Sequence, residues 1–158
     1  MGLDNYVERE ELFYQHWLDE VNKYDQLDRS KLQLLISKEQ EYPVAVGGII
    51  KDLCRLGNLS IDDSIWIVSL LPEKSFSTEQ IRAYMAINDH RLTWLQKLNA
   101  AIDNKATWAA FQMINSMSEK DLEEAGEAIK RSHHSRSLRL ALVEVSKSKF
   151  GIKPRNWK

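Results

Sequence analysis

Residues 43–72 read PVAVGGIIKDLCRLGNLSIDDSIWIVSLLP, and the prolines, glycine and serine that mark possible helix ends in this stretch predict helices. A proline can occupy the first turn of a helix, and Gly57 is the residue type that best accepts the left-handed conformation past a helix end. Together they predict a helix over residues 44–56. Pro43 also disfavours helical geometry in the residue before it, so an earlier helix must end near Tyr42.

Two features inside this stretch bear on packing. Gly47 and Gly48 cost about 1 kcal/mol each relative to alanine in a helix, so they indicate either close packing against another helix or a bend. Ser60, three residues before Asp63, is placed to cap a second helix. That helix is apolar on nearly every side up to Pro72, and we expect it to be the central, most buried element.

The sequence on both sides of this stretch also has a helical period. In residues 4–27 the apolar residues recur at intervals of one, three or four, which predicts an amphipathic helix with an acidic outer side. Ser77 and Gln80 have the spacing of a capping box and open a run that continues through Ile102. A further helix is predicted over residues 105–117.

The last apolar run, around Leu138, Leu140 and Leu142, fits either a strand or a helix. Helix is favoured, because no second strand is visible and a lone strand would leave its backbone groups unpaired. Gly151 is then placed to end this helix.

These patterns predict an all-α fold. We expect a single compact multi-helix bundle of about six to eight helices with a basic C-terminal segment, and helix in more than about 60% of the residues. Residues 1–150 should form a single helical domain, and residues 151–158 a basic C-terminal tail. The predicted core residues are Trp66, Leu70, Ile81, Met85, Leu95, Leu98, Phe111 and Ile114.

The single cysteine, Cys54, lies within an apolar run and cannot form an internal disulfide. We expect a buried thiol, since no neighbouring basic group is placed to lower its pKa. Such usage fits a reducing compartment. Residues 1–11 are acidic and polar, unlike a signal peptide, and no apolar stretch approaches the roughly 18 residues needed to span a bilayer. The expectation is a cytoplasmic protein with no membrane partner.

Charge is distributed unevenly along the chain. Residues 1–129 hold 13 Lys and Arg against 22 Asp and Glu, a net charge of −9, and residues 130–158 hold 9 against 1, a net charge of +8. This asymmetry predicts either a basic arm for an anionic partner or a basic end folded back on an acidic body.

The basic C-terminal end is the predicted nucleic-acid site. Its cations can neutralise phosphates while Phe150 and Trp157 stack on bases, which is the combination found in single-stranded nucleic-acid sites. The same cations can instead pair with the acidic body or form a solvated tail. The predicted nucleic-acid-binding residues are Lys130, Arg131, Arg136, Arg139, Lys147, Lys149, Lys153, Arg155 and Trp157.

Residues 77–98 give a second nucleic-acid hypothesis. They fit a helix-turn-helix in which Asn88 opens the second helix and Arg91 faces the groove. However, Arg82 stands where a small residue usually lets the two helices approach, and Asp89 would repel phosphates. An ordinary helical hairpin or one continuous helix is the favoured alternative.

No catalytic site, metal site or cofactor is predicted. The sequence has no Walker A loop, no dinucleotide-binding glycine motif, no nucleophile elbow and no zinc-protease motif. Of its four histidines, His133 and His134 are adjacent and would point about 100° apart on a helix, so they cannot share a metal. We therefore expect a non-enzymatic regulatory binding protein whose basic end contacts nucleic acid.

The competing hypothesis is an acidic helical adaptor, inhibitor or immunity-type protein that binds a protein partner and has no nucleic-acid role. Five Trp and five Tyr exceed what one small core needs, and such side chains anchor interfaces when they are exposed. Trp66, Trp94 and Trp108 fall on apolar faces, whereas Trp17 and Trp157 are freer. The sequence specifies neither the partner nor the oligomeric state.

Overall fold

The structure is a computed structural model of the chain, and it describes residues 3–23, 28–57, 59–132 and 135–152. Helices account for 78% of these residues, and no strand occurs among them. The predicted all-α class and the high helix content are both confirmed.

The described ranges contain nine α-helices and one short 3₁₀ helix. They are α1 (Leu3–Asn22), α2 (Arg29–Ser37), α3 (Pro43–Leu56), α4 (Ile61–Leu70), α5 (Phe76–Ile87), α6 (Trp94–Asp103), α7 (Thr107–Asn115), the 3₁₀ helix (Glu119–Asp121), α8 (Leu122–Lys130) and α9 (Ser135–Phe150). The predicted count of about six to eight is slightly low, because the run that begins near Ser77 contains a break that its periodicity hides.

The chain divides into two compact units, unit 1 (Met1–Ile81) and unit 2 (Arg82–Lys158), and the boundary falls within α5. Unit 1 carries 8 Lys and Arg against 15 Asp and Glu, a net charge of −7, and unit 2 carries 14 against 8, a net charge of +6. The single domain over residues 1–150 with a tail at 151–158 stays a prediction.

In unit 1, α1 packs along α3, and the ends of α3 are those that the sequence predicts. Pro43 occupies the first turn, and Gly57 ends the helix with a φ of 70°, which only glycine adopts without strain. Cys54 is buried on this helix, and burial raises the pKa of its thiol. The predicted buried thiol is confirmed.

The paired glycines of α3 allow two aromatic rings to approach its backbone. A Cβ atom on Gly47 would lie 2.6 Å from Cδ1 of Phe76, and one on Gly48 would lie 3.3 Å from Cε2 of Tyr14. The helix is continuous through both positions. Close packing against other helices, rather than a bend, is therefore the explanation of the pair.

A carboxylate from α1 caps the first turn of α3. Tyr42, the residue before the helix, makes no side-chain cap, but Oε2 of Glu10 accepts a hydrogen bond of 2.7 Å from the backbone N–H of Ala45. Glu10 is only 6% exposed. It satisfies an N–H that has no partner within the helix, and its negative charge lies at the positive end of the helix dipole.

Polar and aromatic contacts also fix α1. The Tyr14 hydroxyl donates to Oδ2 of Asp52, and this hydrogen bond, together with burial, raises the pKa of Tyr14 to about 12. Phe13 stacks on Tyr42 with ring centroids 4.4 Å apart, and Nη2 of Arg9 donates to the Tyr42 hydroxyl at 3.1 Å. These contacts hold α1 against α3 and the turn that precedes it.

The expectation that α4 is the most buried element is wrong. The predicted cap is present, since Ser60 Oγ accepts from the Asp63 N–H at 3.0 Å, but only Ser64 and Ile67 are buried within the helix. Among the helices of unit 1, α4 packs mainly against α2. An apolar side chain is buried only where a neighbouring element covers it, and most of α4 has no such neighbour.

The start of α5 also differs from the prediction. The helix begins one residue before Ser77, and the cap is Ser75, whose Oγ accepts from the Thr78 N–H at 3.1 Å. Ser77 is fully buried instead. Both serines have spacing that suits a cap, and Ser75 is the one that accepts the capping hydrogen bond.

Seven of the fifteen buried core residues of unit 2 are alanines, whose small side chains let its short helices approach closely. Its last helix, α9, ends at Gly151 with a φ of 66°, so helix rather than strand is confirmed for this region. The buried core residues of unit 2 are Ala83, Ile87, Leu98, Ala101, Ala106, Ala109, Ala110, Met113, Ile114, Met117, Ala125, Ala128, Ile129, Leu138 and Leu142.

The predicted core is correct in part. Ile81, Leu98 and Ile114 are fully buried, but Leu70 is 41% exposed, because it lies on the uncovered helix α4. Trp17, which we expected to be free, is buried on the inner side of α1. The remaining predicted core residues are half-buried, namely Trp66, Met85, Leu95 and Phe111.

Replacing Glu10 with alanine should lower the free energy of unfolding by about 1–2 kcal/mol, because the Ala45 N–H loses its buried acceptor. E10Q should lose less, since its amide oxygen still accepts a hydrogen bond. Urea unfolding followed by circular dichroism measures both changes.

The matched control is E11A, which removes the same charge from the exposed side of α1. It should change the free energy of unfolding by less than about 0.5 kcal/mol. Equal losses in E10A and E11A would show that the carboxylate of Glu10 does not cap α3.

Candidate functional site

The predicted nucleic-acid residues lie on two helices of unit 2 and beyond them. Those in the described ranges are on or next to α8 and α9, namely Lys130, Arg131, Arg136, Arg139, Lys147 and Lys149. The others, Lys153, Arg155 and Trp157, lie outside the described residues.

Lys130 and Arg131 stand at the C-terminal end of α8, where a positive charge interacts favourably with the helix dipole. Lys130 Nζ lies 3.4 Å from Oε1 of Glu127, and Arg131 Nη2 donates to Oδ1 of Asn99 at 2.5 Å. Both cations are therefore engaged by groups of α8 and α6.

Lys149 contributes to the fold of unit 2. Its Nζ donates to the backbone oxygen of Asn115 at 2.5 Å and lies 3.4 Å from that of Met117. Helix α7 ends at Asn115, so this carbonyl lacks a partner within its own helix. Phe150, expected to stack on bases, is half-buried against the core of unit 2. These two residues fasten α9 to the end of α7.

Arg136 and Lys147 are exposed on the outer side of α9, and they lie about three turns apart, or about 16 Å along the axis. Leu140, which is 63% exposed, and the carboxylate of Glu144 share this side. Arg139 is half-buried. The described cations thus point in several directions rather than forming one basic surface.

The loop at residues 88–93 does not form the predicted helix-turn-helix. The second helix begins at Trp94, not at Asn88, so one continuous helix is also wrong. In the loop, Nε and Nη2 of Arg91 each donate to the carboxylate of Asp89 at 3.0 Å. This side-chain hydrogen bonding, and then the backbone N–H of Arg91, lowers the pKa of Asp89 to about 2.

Helix α4 of unit 1 leaves apolar side chains uncovered. Ile61 is 65% exposed and Ile65 is 54% exposed. They lie one turn apart on the same face, and the half-buried Val68 continues this face toward the end of the helix. We call Ile61, Ile65 and Val68 the α4 stripe.

The other side of α4 is anchored by polar contacts. Nε of Arg29, on α2, donates to Oδ1 of Asp63 at 3.2 Å, and its guanidinium carbon lies 5.0 Å from the centre of the Trp66 ring. At 100° per residue, Asp63 and Trp66 lie on the opposite side from the α4 stripe. The helix is therefore held in place while its apolar face stays exposed.

A shallow, open groove of about 600 Å³ runs between α6 and α8 in unit 2. We call it the α6–α8 groove. Leu95 and Ala128 supply its apolar lining, and most of its other lining residues are charged. These polar and charged residues are Asn99, Glu123, Glu124, Glu127, Lys130 and Arg131.

No metal centre or membrane-spanning element is found in the part of the chain that the structure describes. No three His, Cys, Asp or Glu side chains there are grouped to hold a metal ion, and no helix there is long and apolar enough to cross a bilayer. His16 and His90 are exposed, and His133 and His134 lie outside the described residues.

No family model, curated protein or solved structure matches this chain. The surfaces of the molecule itself therefore provide the basis for a functional proposal.

Sequence reasoning missed both the α4 stripe and the α6–α8 groove. The sequence does contain a sign of the α4 stripe. Large apolar side chains occur on nearly every side of this helix, and one neighbouring helix cannot cover all of them. For the groove, the sequence gives no separate signal, because Glu123 and Glu124 in the first turn of α8 also interact favourably with the helix dipole.

The contacts of Lys149 predict a structural effect. K149A should lower the free energy of unfolding by about 1 kcal/mol, because the end of α7 loses a charged hydrogen-bond donor. K147A, two residues away on the outer side of α9, should leave it unchanged. Urea unfolding of both variants tests this, and equal effects would contradict the assignment.

Proposed function

We propose that the chain is a non-enzymatic binding protein that docks a protein partner through the α4 stripe. The exposure of Ile61 and Ile65 carries this proposal. Isoleucine is normally buried, and contiguous apolar surface left in water is typical of an interaction site. The absence of an enzymatic activity stays a prediction, as does a cytoplasmic location.

The expected gain from docking is substantial. Fully burying an isoleucine side chain contributes about 1.5–3 kcal/mol, and about half of each side chain is still available to a partner. The α4 stripe would form the centre of an interface, and polar groups such as the exposed Asp62 would lie at its rim. The helix is already held by Arg29, so little ordering entropy opposes docking.

Charge favours a basic partner. Unit 1 carries a net charge of −7, and a field of that sign accelerates association with a positively charged protein. An acidic helical adaptor or inhibitor is the class that this combination fits best. Its partner would present an apolar groove bordered by Lys and Arg.

Nucleic-acid binding is the second candidate function. Arg136 and Lys147 are exposed on the outer side of α9, and residues 153–158 add three more cations and Trp157. The dispersal of the other basic side chains makes this candidate less well supported than protein binding. It requires only the outer side of α9 and the segment that follows it.

The first experiment compares proteins captured by the wild type and by I61D/I65D from lysate with and without nuclease treatment. We expect a partner that the wild type retains and that I61D/I65D loses, because two carboxylates would have to be buried in the interface. The variant should stay folded, since exposed positions tolerate substitution.

L12D/L34D is the matched control, because it places two carboxylates at other exposed leucines of unit 1. It should keep the partner. Capture that is insensitive to I61D/I65D, or that disappears with nuclease treatment, would refute docking through the α4 stripe.

The second candidate has its own measurement, which is the salt dependence of affinity for single-stranded DNA and RNA. R136Q/K147Q should reduce the slope of log K against log salt by about 0.7–0.9 for each phosphate that the variant no longer neutralises. K74Q/K120Q removes the same charge elsewhere on the surface and should leave the slope unchanged. Absence of salt-sensitive binding by the wild type would exclude this candidate.

A further inference from the structure

We propose that the α6–α8 groove is the docking site of residues 153–158 of the same chain, whose sequence is KPRNWK. If it docks there, the basic end of the chain is folded back on acidic groups rather than free. The proposal is independent of the α4 stripe, and it rests on the lining of the groove, its charges and the path of the chain.

The lining of the groove suits an aromatic side chain beside cations. Leu95 is half-buried and offers apolar surface to the groove, and Ala128, which is buried, lies beneath it in the lining. The volume of about 600 Å³ falls within the range of pockets that hold a drug-sized ligand. Because the groove is open to solvent, it suits a peptide segment that lies along it. Trp157 is the apolar group that the segment supplies.

The charges of the groove complement the segment. Glu123, Glu124 and Glu127 are exposed along α8, and of these only Glu127 makes an ion pair with a described residue. Three neighbouring carboxylates repel one another, and a bound cation relieves this repulsion. Residues 153–158 bring three cations, Lys153, Arg155 and Lys158, and no carboxylate side chain.

The described chain ends just after α9, a helix that packs against both α7 and α8. Lys149 of α9 lies beside the backbone oxygen of Met117, which precedes the start of α8. Glu123 and Glu124 belong to the first turn of that helix. A six-residue segment spans at most about 20 Å, which covers the first two turns of α8.

Covalent attachment makes such docking effective. A short tether gives an effective concentration in the millimolar range, so a few exposed ion pairs and one aromatic contact are sufficient. The other end of the groove carries Arg131, held by Asn99, and would repel the segment. The cations are therefore directed toward the first turns of α8.

The test uses the full chain with a spin label at residue 156. The N156C variant keeps every cation of the segment, and Cys54 is buried, so labelling of the native protein is directed to the new thiol. We expect broadening of the backbone amide signals of α6 and α8 around the groove. The broadening should be lost in high salt, because exposed charges are screened.

The diagnostic variants are E123Q/E124Q and W157A in the labelled chain. Each should restore most of the broadened signal, since one exposed ion pair changes an equilibrium by up to about fivefold. D103N/E144Q removes the same number of carboxylates from exposed positions of unit 2 outside the groove. This control should leave the broadening as it is.

Three outcomes would overturn the proposal. One is an absence of broadening around the groove, and another is broadening that E123Q/E124Q and W157A do not change. The third is broadening that persists when spin-labelled chains without isotope are mixed with isotope-labelled chains without a spin label. In that case the segment would bind a second copy. I61D/I65D should not alter the broadening, which separates this test from that of the α4 stripe.

Discussion

The contact between α1 and α3 is the constraint on which unit 1 depends. Gly48 lets the Tyr14 ring reach the backbone of α3, and the same helix pair places the carboxylate of Glu10 under the first turn of α3. A Cβ atom at Gly48 would lie 3.3 Å from Cε2 of Tyr14, so the Tyr14 ring would have to shift by a few tenths of an ångström. Helix start, helix packing and charge placement are therefore coupled through one close approach.

Local signals in the sequence predicted local structure well. Pro43, Gly57, Ser60 and Gly151 mark helix ends where they should, because each acts through its own backbone geometry or through a neighbour a few residues away. Burial was harder to predict. The composition of α4 indicates a buried helix, but burial depends on which elements pack against it, and sequence periodicity does not contain that information.

The same distinction applies to the binding surfaces. A charge count identifies a basic end, yet Lys147 and Lys149 are two residues apart and point to different sides of α9. Lys147 faces solvent, whereas Lys149 donates a hydrogen bond to the backbone oxygen of the last residue of α7. Likewise, the acidic residues of α8 are typical helix-stabilising groups, and only the position of α6 shows that they also line a groove.

Because Cys54 is buried, the reactivity of its thiol reports local unfolding of unit 1. The thiol reacts through its thiolate, and both its raised pKa and its lack of solvent contact suppress that form while unit 1 is closed. Its rate of modification by a thiol reagent therefore follows the fraction of time that unit 1 spends open. Since unit 2 contains no cysteine, the two units can be distinguished by chemistry alone.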